Sequence, residues 1–298
     1  MDPLIIVATP NICWLKPEVE FPKTPDAIAQ EARLCRERGA AVLHIHAEGQ
    51  WIEVIRAVRA ACDIIVQCGM SSLEIEERMD VFRERADMMS IILNHHDEAF
   101  AELDCLKLHS RQELEQYAGL CAEYGVAPEF EVWHTGSIWN LNYLIKKTLL
   151  KPPYITTLFF GWPGGTWSPP TVEEYLYRRR LLPQGSAVSV SIMHEDQMKI
   201  LAAAVLEGDH VRVGTEDYPY TRSGCLAKTH ELVEEIASIS RLLGRPLATV
   251  EQARCILGLE RLLLDGSNQR VVRAACDGQP AATNGSGPPN RRGAQPRS

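Results

Sequence analysis

Short runs of β-branched and aliphatic residues alternate with amphipathic stretches along most of the chain. Apolar runs with strand-like composition fall at residues 4–8, 41–47, 64–68, 88–93, 129–133, 154–160, 187–193 and 210–215. Stretches with helical periodicity lie between them, at 25–38, 52–62, 72–85, 138–150, 172–181 and 198–207. A long helix is predicted at 226–243 and a last one at 249–259, which Thr249 caps ahead of Glu251 and Gln252.

Eight strands with helical crossovers predict a parallel sheet closed as a (β/α)8 TIM barrel, with an extra C-terminal helix. A chain of 298 residues accommodates such a barrel of about 250 residues as one domain. A doubly wound open sheet is the competing architecture. It usually has fewer strands and a Gly-rich phosphate turn after the first, where this chain has Thr9, Pro10, Asn11 and Ile12. The barrel is expected over residues 1–265. Composition then shifts to Gly, Pro, Ser, Asn and Arg, so 266–298 is expected to be a disordered tail.

Charge changes the picture in one respect. The net charge is −8, yet residues 266–298 hold five Arg and one Asp, leaving the barrel strongly acidic. An acidic body argues against a nucleic-acid partner. No apolar run is long enough to span a bilayer, so no membrane association is expected. Nine cysteines without a CxxC pair, and no signal-like start, point to reduced thiols and a cytoplasmic protein. Cys13 and Cys68 fall near strand ends with no base beside them in sequence, and are expected to be packing residues.

The candidate chemistry sits at strand ends. His44 and His46 share a face by pleat alternation, as do Arg212, Gly214 and Glu216. The first, second and eighth strands are neighbours in a closed barrel, so His44, His46 and Glu216 come within reach of one ion. Two imidazoles and a carboxylate with an open position form the ligand set of a catalytic zinc site. Taken alone, a His-x-His on a strand is as often structural. A buried Arg212 needs an acidic partner, and Asp217 is the nearest in sequence, provided the loop turns back. That pair is either a structural ion pair or an arginine that orients a catalytic base. Glu129 and Glu131 share an inward face, where they bind a substrate group, support a metal ligand or pair with a neighbouring cation. Asn94, His95, His134 and His194 also fall at strand ends and could line the mouth, though each alone reads as a polar rim residue. Gly164 and Gly165 either admit a phosphate or pantetheine close to the backbone or form a plain turn.

His44-Ile45-His46, Pro128-Glu129-Phe130-Glu131, Gly161 with Gly164-Gly165, and the run from His210 to Asp217 resemble the zinc-dependent β-keto acid cleavage enzymes. That is the family of the 3-keto-5-aminohexanoate cleavage enzyme. The resemblance runs from Ile5 to Leu259 and includes the closing Ala248-Thr249 and Ile256-Leu257-Gly258-Leu259. It implies an oligomeric barrel with Zn2+ on His44, His46 and Glu216, Asp217 as base assisted by Arg212, and Glu129 and Glu131 in substrate recognition. The implied reaction joins a β-keto acid to acetyl-CoA and returns acetoacetate and a new acyl-CoA. The chain departs from the family pattern at Trp14, Gln67, His194 and Glu195, and in the Ala47-Glu48-Gly49 that follows the histidines. These changes alter pocket size and lower positive charge. The other functions in view are a zinc lyase or hydrolase that does not use CoA, and a metal-binding protein without turnover.

Overall fold

The protein is described by a computed structural model covering residues 2–16, 18–69, 73–93, 95–97, 106–162, 168–259, 261–263 and 270–272. At 95–97, 106–107, 261–263 and 270–272 the backbone alone is described. In chain order the elements are β1 (Ile6–Ala8), α1 (Pro25–Arg38), β2 (Val42–Ile45), α2 (Trp51–Ala61) and β3 (Ile65–Cys68). A 3-10 turn at Glu76–Arg78 leads into α3 (Met79–Arg83), β4 (Met88–Ile92), β5 (His95–Asp97), β6 (Leu106–Leu108) and α4 (Arg111–Tyr124). There follow β7 (Ala127–Val132), α5 (Thr135–Lys146), β8 (Tyr154–Phe160), α6 (Val172–Leu181), β9 (Ser186–Ile192), α7 (Gln197–Glu207) and β10 (His210–Val213). The order ends with α8 (Thr229–Leu242), α9 (Val250–Ile256), β11 (Arg261–Leu263) and β12 (Arg270–Val272).

β1, β2, β3, β4, β7, β8, β9 and β10 pair in parallel in that order, and β10 closes on β1. The (β/α)8 barrel with an added C-terminal helix is therefore the fold, as the alternation of patterns predicts. The antiparallel hairpin β5–β6 is inserted after β4, and its pattern alone does not announce it. Helix α4 lacks a prediction too, although Ser110 and Glu113 mark its start. The Ser110 hydroxyl accepts the Glu113 amide at 3.1 Å, and Gly125 ends the helix in a left-handed conformation. The helix expected over 72–85 is reduced to a 3-10 turn and five residues. Of the expected tail, the structure describes Arg270–Val272, which pairs with Arg261–Leu263; the rest lies outside the described residues.

Side chains inside the barrel are layered. The lower layer is hydrocarbon: Ile5, Val42, Ile65, Met88 and Ile155, plugged from below by Val250, Ala253 and Leu257 of the α9 region. Above it lie buried polar groups, among them His44, Gln67, Ser90, Glu129, Ser189 and Arg212. A second hydrocarbon shell packs the outer strand faces against the helices.

Buried carbonyls at the ends of parallel strands need donors, and side chains from the helices supply them. Asn140 donates to Leu93 O at 2.5 Å, Gln197 to Ile192 O at 3.0 Å, and Arg178 to Val132 O and Trp133 O at 3.1 and 3.0 Å. These clamps hold the upper rim of the barrel in register with its helices. No helix among the described residues is long and apolar enough to cross a membrane.

Candidate metal centre and its acid pair

Strand β2 delivers His44 from its inward face and His46 from one residue past its end. β10 stops at Val213, two residues earlier than the pattern predicts, so Glu216 does not arrive by pleat alternation. A turn carries it in: the amides of Asp217 and Tyr218 both donate to Gly214 O at 3.2 Å. The same turn returns Asp217 towards Arg212. Gly214 is required by crowding, since a methyl group there would lie 2.2 Å from Thr9 Oγ1 and 2.3 Å from Thr9 O.

The three candidate ligands converge. His44 Nε2 and His46 Nε2 are 3.1 Å apart, and they lie 3.5 and 3.1 Å from Glu216 Oε2 and Oε1. One ligand atom from each of the three lies within 4.8 Å of the others. Glu216 Oε2 is buried and has no hydrogen-bond partner among the described residues. Burial, with Arg212 adding to it, holds the His44 pKa well below the usual imidazole value, so this ring is neutral. Burial acts the same way on His46, but the Glu216 charge and hydrogen bond outweigh it and raise the net value. Burial also opposes the charge of Glu216, yet Arg212 and the two histidines hold its carboxyl well below the usual range. A buried carboxylate facing two imidazole nitrogens, with a lone pair unpartnered, is a donor set suited to a divalent cation.

Two features that the sequence pattern does not single out shape this centre. Gly69 follows β3, and a methyl group on it would lie 2.7 Å from His44 Nε2 and 2.9 Å from His46 Cε1. Only glycine leaves the rings their space. Asn11 grips the backbone of His46 in both directions: its Oδ1 accepts the His46 amide at 3.0 Å and its Nδ2 donates to His46 O. The loop bearing Asn11 is tied in turn to the β10 end. Thr215 Oγ1 donates to Pro10 O and Ile12 O at 3.1 and 2.9 Å. The signal for Asn11 was a polar residue at the end of the first strand, but its role depends on contacts 35 positions apart in sequence.

Arg212 faces both acids. Its Nε donates to Asp217 Oδ1 and Oδ2 at 3.1 and 3.2 Å, and one terminal nitrogen reaches Asp217 Oδ1 at 2.9 Å and Glu216 Oε1 at 2.6 Å. The expected Arg212–Asp217 pairing is thus present, with Glu216 as a second acceptor. Burial pushes the Asp217 carboxyl up to about 6 against the pull of Arg212, and the Glu216 charge adds to the rise. Burial disfavours the charged guanidinium, but the two acids outweigh it and raise the Arg212 pKa.

Glu129 and Glu131 do share the barrel interior. Gln67 Nε2 and Ser90 Oγ donate to Glu129 Oε2 at 2.8 and 2.9 Å. Burial pushes Glu129 up to about 7, the neighbouring Glu131 charge adds to this, and Thr157, Arg212 and Ser90 act against it. Glu131 accepts the Trp133 indole N–H at 3.0 Å. Gln67 lies within β3 rather than after it, and its amide serves the glutamate.

Two other predicted residues, His134 and His194, have local partners. His134 Nδ1 accepts the Gly136 amide as the cap of α5, and His194 Nδ1 accepts the Asp196 amide at 3.2 Å on the partly exposed rim. Asn94, Gly164 and Gly165 lie outside the described residues, as does the His95 side chain. Cys13 and Cys68 are buried, and burial raises both thiols, that of Cys68 to about 12; both pack as expected.

An aromatic wall stands beside the centre. Trp133 stacks on Phe159 with ring centroids 4.4 Å apart, and Trp162 meets both edge-on at 5.3 and 5.7 Å. Ile92 and Met193 complete the cluster, and Trp14 packs on it while lying edge-on to His46 at 6.1 Å.

Comparison with known proteins agrees with this geometry. Residues 3–259 match the family described as beta-keto acid cleavage enzyme. The chain is 29% identical over 285 residues to a 3-keto-5-aminohexanoate cleavage enzyme of Fusobacterium nucleatum subsp. nucleatum, covering 88% of this chain and all of that one. It is 28% identical over 273 residues to a 3-dehydrocarnitine:acetyl-CoA trimethylamine transferase of Rhizobium meliloti, covering 80% and 90% of the two chains. A solved complex of ObcA with oxaloacetate shares the fold, with TM-score 0.64 and 17% identity over 80% of this chain and 67% of that one. With a match spanning the whole barrel from β1 to beyond α9, this chain belongs to the beta-keto acid cleavage enzyme family.

Proposed function

We propose that this protein cleaves a β-keto acid with acetyl-CoA as co-substrate, giving acetoacetate and a new acyl-CoA, and that His44, His46 and Glu216 hold the zinc ion this requires. The observation that carries the reading is Arg212, which bonds at once to the candidate ligand Glu216 and to Asp217. The names of the relatives from Fusobacterium nucleatum and Rhizobium meliloti support it. Held by His44, His46 and Glu216, a zinc ion would supply Lewis-acid charge to polarise the substrate.

The remaining work falls to side chains of the chain itself. Asp217 accepts a proton from the substrate carbon between the keto and carboxylate groups. Its carboxyl, pushed up to about 6, is ionised near neutral pH and still basic enough to take that proton. Arg212 fixes the direction of the Asp217 oxygens through its three short contacts and keeps them ionised in a buried setting. The resulting carbanion attacks the acetyl-CoA thioester carbonyl, and the new carbon–carbon bond forms there. CoA leaves as thiolate and attacks the original keto carbon. The bond between that carbon and the former α-carbon then breaks, giving acyl-CoA and acetoacetate after reprotonation.

The test follows consumption of a β-keto acid by the zinc-loaded protein with and without acetyl-CoA, together with α-proton exchange in deuterated water without CoA. Acetyl-CoA-dependent acetoacetate formation and CoA-independent exchange are expected. Cleavage at the same rate without acetyl-CoA would replace this reading with a lyase or hydrolase.

A further inference from the structure

Resting on the zinc site proposed above, we propose that Thr229, at the start of α8, is a positioning residue that sets the spacing between His46 and Glu216 by way of Thr215. Glu216 enters on a turn rather than on β10, so strand pairing does not fix where its carboxylate sits. The turn has to be held from outside, and three contacts do so. The Glu216 amide donates to Thr9 O at 3.4 Å, Thr215 Oγ1 donates to Ile12 O at 2.9 Å, and the Thr215 amide donates to Thr229 Oγ1 at 3.1 Å.

A hydroxyl has lone pairs to accept with and one proton to give, and Thr229 uses both. It takes the Thr215 amide on a lone pair and turns its proton to Thr9 O at 3.4 Å. One group thereby joins the turn that carries Glu216 to the loop that carries Asn11. Asn11 in turn holds the His46 backbone, with its Oδ1 on the His46 amide at 3.0 Å. The 3.1 Å between His46 Nε2 and Glu216 Oε1 is therefore set along one hydrogen-bonded path through residues 229, 215, 9 and 11.

Thr229 suits this task because its helix is anchored elsewhere. The next residue, His230, is tied to α1: Glu31 Oε1 accepts the His230 amide at 3.0 Å and lies 2.8 Å from its Nδ1. Thr9, Thr215 and Thr229 are 0, 3 and 1% exposed, so water does not replace a partner that is lost.

Thr229→Val keeps the shape and removes the hydroxyl, Thr229→Ala removes it without the branched methyls, and Thr229→Ser keeps it. They are made in the full-length protein, beside Leu257→Ala in the lower plug as a variant that loses stability only. Zinc affinity is measured against a competing chelator, and the visible absorption of the Co2+-loaded protein reports the ligand geometry. Thr229→Val and Thr229→Ala should each lose roughly 10-fold in zinc affinity and change the Co2+ spectrum. Thr229→Ser should restore both, and Leu257→Ala should change neither. Combined with Asn11→Ala, Thr229→Val should cost less than the product of the two separate factors, because both cut one path. Wild-type affinity and spectrum in the valine and alanine variants, an equal change in Leu257→Ala, or independent factors in the double variant would each overturn the inference. These readouts need no substrate. If the expected order of affinities is found without acetyl-CoA-dependent turnover, the inference is supported and the acyl-transfer reading alone falls.

Discussion

The two ends of the barrel interior are built from the same strands and do opposite things. At the lower end Ile5, Val42, Ile65, Met88 and Ile155 meet Val250, Ala253 and Leu257 in a hydrocarbon plug. At the upper end the strands turn over four carboxylates, one arginine and two histidines, all but enclosed. The lower layer gains free energy from apolar burial with no need for direction. The upper layer loses free energy by desolvating its charges and recovers part of it only through directed contacts, such as those of Arg212. The lesson is that stability and chemistry are separated along the barrel axis, so substitutions at the two ends should fail in different ways.

The largest effect should come from the ligands. His44→Ala and His46→Ala should each abolish tight zinc binding with the barrel still folded, read as metal content after dialysis beside far-UV circular dichroism. Zinc retained at wild-type stoichiometry in both variants would remove the assignment.

Next comes the acid pair. Asp217→Asn should keep zinc and fold but lose roughly 10²–10⁴-fold in kcat, because the amide cannot take up a proton. Arg212→Met should lose a similar factor, and the double variant little more than either, since the two act as one unit. Wild-type α-proton exchange in Asp217→Asn would shift attention to Glu129 or Glu131.

At the lower end, Leu257→Ala should cost about 2–5 kcal/mol in denaturant unfolding, through lost burial and the cavity left behind. Zinc content and substrate preference should stay unchanged. A changed zinc affinity would show that the two layers are coupled after all.

Asn11→Ala sharpens the comparison from above. Among the described residues neither His44 Nδ1 nor His46 Nδ1 has a hydrogen-bond partner, so the His46 ring depends on its backbone, which Asn11 clamps. Zinc affinity measured against a competing chelator should fall roughly 10–100-fold. The unfolding midpoint of the metal-free protein should move little.

The smallest effect is a pH dependence. Glu129 is raised to about 7 in the folded state, so the folded protein holds a proton there that the unfolded chain has already released. Its stability contribution is complete below the ordinary glutamate range and is lost as pH rises towards 7. Glu129→Gln should flatten that part of the profile, seen as the difference between wild-type and variant unfolding free energies from pH 4 to 8. Identical slopes would show that Glu129 is ionised throughout.

Much of this was legible in the chain before its fold. The alternation of runs favoured the barrel, because strands and helices differ in apolar period and eight βα units exceed what a doubly wound sheet usually has. His44, His46, Arg212, Glu216 and Asp217 were legible as strand-end polar groups in apolar surroundings. Their contacts were not. Pleat parity put Asp217 on the wrong face, and only the turn at Gly214 brings it back to Arg212. Helix α4 was written in its Ser110 cap and Gly125 stop. The hydrogen bonds of Asn11 to His46, the space that Gly69 leaves for two rings, the Gln67 amide on Glu129 and the aromatic wall join positions from separate strands. Local pattern carries information over one turn or one pleat, whereas these contacts exist only once closure brings distant strand ends to a common rim.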